Sequence, residues 1–105
     1  MDMVATALSA LRASSAGLEV RANNVANQFT AGYQAGRVDL MAEASGGVRV
    51  SGASTDPTPA GPGNSNVDLV GETVAGMGLE ILYRANLKVL KTADELMQAS
   101  LDLKA

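Results

Sequence analysis

Four aliphatic residues, Leu82, Val89, Leu96 and Leu103, recur every seven positions within a stretch, 66–103, that contains no proline. Leu79, Asn86, Ala93 and Ser100 form a companion series with the same repeat, and Leu90, Met97 and Leu101 widen the apolar stripe. Spacings that alternate between three and four put such residues on one face of an α-helix. Ser65 with Asp68 three residues on resembles a capping box, and Glu72 adds negative charge near the positive end of the helix dipole. Lys88, Lys91 and Lys104 lie towards the other end, where the dipole favours cations. The pattern predicts a helix over 66–103, which at ~1.5 Å per residue is about 55 Å long. The rest of a 105-residue chain cannot cover a helix of that length, so it needs partners.

A second helix is predicted over 3–27. Val4, Leu8, Leu11, Ser15, Leu18, Ala22 and Val25 alternate at spacings of four and three, and Ala5, Ala7, Ala10, Ala13 and Ala16 raise helix propensity while keeping the flanks thin. Between the helices, Gly32, Gly36, Gly46 and Gly47 punctuate the chain, and Pro57, Pro59 and Pro62 exclude a helix. Val48-Arg49-Val50-Ser51 alternates like a short strand. The expected fold is all-α: two long terminal helices paired as an antiparallel coiled-coil hairpin, with a short irregular or weakly β middle. The expected division is 1–27 for the first helix, 28–64 for a Gly/Pro-containing loop or small projecting segment and 65–105 for the second helix, within one structural domain.

Composition narrows the function. One Phe, two Tyr and no Trp leave little aromatic area for a compact core. A net charge of −3 and the lack of a basic stripe argue against nucleic acid as a partner. Without cysteine there is no disulfide framework and no thiolate site. No run approaches the ~18 apolar residues of a membrane span, so direct membrane insertion is not expected. Asp2 stands where a signal peptide carries positive charge, and Thr6 and Ser9 interrupt its apolar core, so a cleaved signal is not expected either.

Parts for catalysis are missing. Histidine is absent. Asp39 and Glu43 have helical i,i+4 spacing and read as a solvated helix face, while Asp94 and Glu95 are adjacent and would diverge on a helix. The glycines around Pro62 lack the Gly-Lys-Ser/Thr that completes a phosphate loop. The expectation is therefore no enzyme, with no catalytic residue, cofactor or metal. Asn86 on the apolar seam has two readings, a selector of register or a hydrated edge residue. Gly76 and Gly78 mark either a weak stretch of helix or a close approach of another backbone.

Two stretches carry a family resemblance. Asn23-Asn24-Val25-Ala26-Asn27, followed by Thr30, Gly32 and Tyr33, resembles the Asn-x-Ala-Asn-x-x-Thr-x-Gly-Tyr signature that ends the N-terminal helix of bacterial flagellar axial proteins. Asn66-Val67-Asp68-Leu69, then Glu72, Met77, Tyr83, Ala85-Asn86, Val89-Leu90, Thr92 and Met97, resembles their C-terminal helix, and the Asn-Val-Asp start is most similar to the FlgC branch of rod proteins. The resemblance implies a structural subunit of the flagellar basal-body rod, the drive shaft that spans the periplasm. It implies terminal helices that polymerise into tubes, a projecting middle, and export through the flagellar type III apparatus without a cleaved signal. Implied partners are copies of itself, other rod and hook subunits and the export apparatus. Implied interface residues are Val4, Leu8, Leu11, Leu18, Val25, Leu82, Asn86, Val89, Leu96 and Leu103. Gly32 would make a tight turn and Tyr33 would anchor the exit from the first helix. The competing class is a free-standing helical adaptor or regulator that binds a partner helix.

Overall fold

The structure is a computed structural model and describes residues 2–104. Its elements are, in chain order, α1 (Met3–Ala26), β1 (Gly36–Ala42), β2 (Val48–Thr55) and α2 (Leu69–Lys104). Asp2 caps α1, its side-chain oxygen accepting the Ala5 N–H at 2.7 Å. The molecule is elongated, 68 × 24 × 15 Å.

The all-α expectation is overturned by β1 and β2, which pair antiparallel in a two-stranded sheet. The expected coiled-coil hairpin of two long helices is not what forms: α2 has 36 residues and α1 only 24. Val38, Leu40 and Ala42 alternate along β1 and pair with Ala53, Val50 and Val48, a period-2 pattern that the intervening charges disguise. Gly46 and Gly47, at φ +98° and +89°, make the turn that lets the second strand return. Ser51 has no partner across the sheet, because Asp39 pairs with Gly52 and Leu40 with Val50. That bulge is held by the Ser51 hydroxyl, which donates to the Asp39 carbonyl at 3.1 Å. Asp39 and Glu43 therefore lie on and just after a strand. Their charges meet Arg37 at 3.8 Å and Arg49 at 2.9 Å.

α1 is the middle layer. One side meets α2, running the opposite way: Arg21 pairs with Glu72, a Cβ on Gly17 would lie 2.8 Å from Leu79, and Met3 and Val4 flank Ala93. The other side carries the β-hairpin, whose backbone lies against α1 rather than α2. Ala7, Leu11, Ala13, Ser14, Gly17 and Asn24 are buried between these neighbours. Apart from Leu11 and Asn24 they are small, which is what two close neighbours require of a helix between them.

Candidate assembly surface and the junction that orients it

Residues 23–36 and 64–72 form a polar junction where α1, β1 and α2 converge. Asn24 is completely buried. Its Oδ1 accepts from the Gly36 N–H at 2.8 Å and the Tyr33 hydroxyl at 2.9 Å, and its Nδ2 donates to the Gly36 carbonyl at 2.8 Å. One amide thus satisfies both backbone groups of Gly36, which stands opposite Thr55 in the sheet, and fixes where β1 starts. The Tyr33 hydroxyl also accepts from Asn23 Nδ2 at 3.1 Å, so the ring ties two successive asparagines. Asn27 ends the helix with its N–H on the Asn23 carbonyl at 3.1 Å, and its Oδ1 accepts from the Thr30 hydroxyl at 3.1 Å. Gly32, at φ +76°, reverses the chain so that Tyr33 faces back onto α1.

Asn66 does the same work from the other strand of the junction. Its Oδ1 accepts the Ala35 N–H at 2.6 Å, while Nδ2 donates to the carbonyls of Asp56 at 3.0 Å and Thr58 at 2.8 Å. Ser65 donates its hydroxyl to the Gln28 carbonyl and accepts the Val67 N–H, so it braces the loop instead of capping α2. α2 begins later than the sequence pattern predicts, at Leu69, with the Asp68 carbonyl accepting the Glu72 N–H at 2.8 Å. The Asp68 carboxylate crowds Gly71, where a Cβ would lie 2.8 Å from Oδ2. Asp56 accepts the Thr58 N–H at 2.9 Å; that bond, then the Thr58 hydroxyl, holds its carboxyl below the usual carboxylate range.

Glu72, 7% exposed, receives Arg21 Nη1 on both carboxylate oxygens at 3.2 Å. This pair links the end of α1 to the start of α2. Nothing in the local sequence pattern announces it, because its members are 51 positions apart.

The expected interface residues divide. On α1, Leu11 is buried, Leu18 and Val25 are half-buried, and Val4 and Leu8 remain exposed. On α2 two members of the companion series turn inward, Leu79 under Gly17 and Ala93 buried beside Met3, and Tyr83 between them lies beside Leu8 and Leu11. Asn86, half-buried, donates its amide to the Leu82 carbonyl one turn back at 2.8 Å. The sevenfold series Leu82, Val89, Leu96 and Leu103 stays exposed, with Leu103 at 88%. Val70, Val74, Met77 and Ile81 are also exposed, as is Phe29 at 83%. The exposed loop aromatic and the stripe beginning at Val70 are features that the sequence pattern did not single out.

Among the described residues no cluster of His, Cys, Asp or Glu could hold a metal, and no helix is long and apolar enough to cross a membrane. The elongated chain turns most of the large aliphatic side chains of α2 outward, and its polar groups brace its own junction. Residues 5–34 match the family model for the flagella basal body rod protein. Residues 64–103 match the model for the C-terminal region of the flagellar basal body rod FlgEFG proteins. The two matches take in the asparagine junction and the whole outward face of α2 up to Leu103, and they support the flagellar basal body rod family for this chain, as a structural component of the rod. No curated protein matches the chain.

Proposed function

We propose that this chain is a rod subunit that polymerises through its terminal helices in the periplasmic drive shaft of the flagellum. The observation that carries the reading is the exposed aliphatic surface of α2 on a chain matched at both ends by rod families. Burying a large aliphatic side chain contributes about 1.5–3 kcal/mol, and α2 presents many of them to water. The interface takes in Val4, Leu8, Leu82, Val89, Leu96 and Leu103, which are exposed, with Leu18 and Val25 at its margin. Its partners are copies of itself and other rod and hook subunits, delivered by the flagellar export apparatus without a cleaved signal. The Asn66-Val67-Asp68 start of the second motif favours a FlgC-like position in the rod. In the organisation 1–27, 28–64 and 65–105, the two ends assemble and the middle projects. Torque then passes through packed helices, with no turnover.

Sedimentation of the full chain over a wide concentration range tests this, paired with purification of basal bodies from cells carrying a tagged copy. The expected result is low helix content when dilute, because isolated helices are marginal, large assemblies when concentrated, and the tag in the rod. A stable, fully helical small oligomer with no tag in basal bodies would favour the adaptor class instead.

A further inference from the structure

Gly71, Gly76 and Gly78 crowd the start of α2. Gly71 faces the Asp68 carboxylate, but a Cβ on Gly76 or Gly78 would meet nothing within 4 Å. Packing inside the chain therefore requires glycine at neither of the last two positions, and each weakens the helix against Ala more than any residue short of proline. Val70, Thr73 and Val74 are β-branched, and the Thr73 hydroxyl donates to the Leu69 carbonyl at 2.8 Å, an acceptor that the helix backbone also uses.

The same stretch has little to hold it down. Over residues 69–78 Glu72 alone is buried, Ala75 and Gly76 are half-buried, and the others are exposed. Val70, Val74 and Met77 already face water, so unwinding these turns forfeits almost no apolar burial. From Leu79 onward the inner face changes character. Leu79 closes on Gly17, where a Cβ would lie 2.8 Å from it, Tyr83 lies beside Leu8 and Leu11, and Ala93 is buried. Upstream, Asn66 is fixed by its bonds to Ala35, Asp56 and Thr58. The entry to α2 thus runs between two anchors. Its middle is tied to α1 by Glu72, whose two carboxylate oxygens both receive Arg21 Nη1 at 3.2 Å.

We propose that residues 69–78 are a hinge that unwinds as a unit while α2 from Leu79 onward stays closed on α1, and that the Arg21–Glu72 pair is its latch. Few buried apolar contacts and backbone bonds open to solvent are what make a segment open locally. Ten residues span about 15 Å as a helix and up to about 33 Å when extended, so unwinding adds slack and pulls on neither anchor. Opening releases Arg21 and bares the side of β1 that carries Val38 and Leu40, with the junction and the packed helices left in place. The hinge belongs to the single chain and stands apart from the assembly reading.

Hydrogen exchange of the full chain, read amide by amide below the concentration at which assemblies sediment, tests this. Relative to their unstructured rates, amides 73–79 should exchange roughly tenfold faster than amides 83–93, or more. Glu72→Gln should speed exchange at 73–79 and leave 83–93 unchanged. The double variant Gly76→Ala, Gly78→Ala should slow exchange at 73–79 by roughly tenfold. Equal protection along α2 in the wild type would overturn the proposal. So would a Glu72→Gln chain that exchanges like wild type, or that loses protection evenly through 83–93, since the pair would then not act as a latch. An alanine variant that exchanges like wild type yet no longer assembles would show that the glycines admit a neighbouring chain, and the hinge would be refuted while the assembly reading stood.

Discussion

α1 and α2 are equally apolar on average, yet α1 buries six of its 24 residues and α2 only two of its 36. The residues that α1 buries are mostly small or polar: Ala7, Ala13, Ser14, Gly17 and Asn24 beside one Leu. The residues that α2 exposes are large, with Val70, Ile81, Leu101 and Leu103 all above 60%. Burial inside this chain follows closeness of approach, and small side chains win it because α1 is squeezed between two elements. The large aliphatic groups, which have most to gain from leaving water, stay on the outer surface of α2. α1 organises the subunit, and α2 presents it.

The strongest way to break that contrast is to charge the outward face. Leu96→Asp, at a residue 60% exposed in the free chain, should leave its helix signal unchanged and abolish assembly. Repetition at every subunit multiplies the effect of one buried carboxylate. Circular dichroism and sedimentation check this against dilute wild-type chain, and a helix signal below that of the dilute wild type would show that Leu96 serves the subunit's own fold.

Asn24→Ala attacks the inward side. It strands the Gly36 N–H and carbonyl and removes the acceptor of the Tyr33 hydroxyl, which keeps its bond from Asn23, at about 1–3 kcal/mol for each buried group left without a partner. The expected outcome is faster hydrogen exchange at the Gly36 amide and a detached hairpin, with α2 unaffected. Unchanged protection at Gly36 would mean that the sheet holds itself in place.

A smaller effect separates two glycines at the start of α2. Gly76→Ala has open space and should raise helix stability by up to about 1 kcal/mol. Gly71→Ala puts its Cβ against the Asp68 carboxylate and should forfeit that gain. Thermal melts of the two variants side by side decide it, and equal stabilisation would show that the carboxylate moves aside freely.

The smallest expected effect lies at Asp56. Its carboxyl is held below the usual carboxylate range by the Thr58 N–H, so the protonated form binds that loop less well. The stabilisation is present at pH above the ordinary aspartate range and is lost as pH falls through the lowered value. The Thr58 amide resonance should therefore shift only in strongly acidic solution. A shift already complete near pH 5 would contradict the bond.

Much of this molecule was legible from residue order. Helical periodicity found α1 to within a residue of its end at Ala26, and the proline-free run found α2 with a start three residues early. The displaced start has a local cause: Asn66 and Ser65 spend their side chains on the loop and on Gln28, so the backbone cannot turn helical until Asp68. Val48–Ser51, read as a short strand, lies in β2, but its partner β1 was missed because scattered charges concealed the alternation of Val38, Leu40 and Ala42. Asp39 and Glu43 fit a helix by spacing alone, and only pairing with β2 excludes it.

Sequence alone determined that there would be two helices joined by a proline-bearing segment, that the larger aliphatic residues would repeat along the second, and that asparagines would punctuate the ends. These are local properties, set by backbone propensity and by the 3.6-residue period of a helix. Which of two parallel series on α2 turns inward was decided only by the tertiary structure. Leu79 and Ala93 of the companion series lie against a thin helix, with Tyr83 between them, and Glu72 is drawn to the same side by Arg21. That ion pair rotates the start of α2 as packing at Gly17 and Ala93 fixes the rest, and the sevenfold series is carried to the outside. A repeat in sequence gives the angle between residues on a helix, and only a contact with another element gives the direction in which the helix faces.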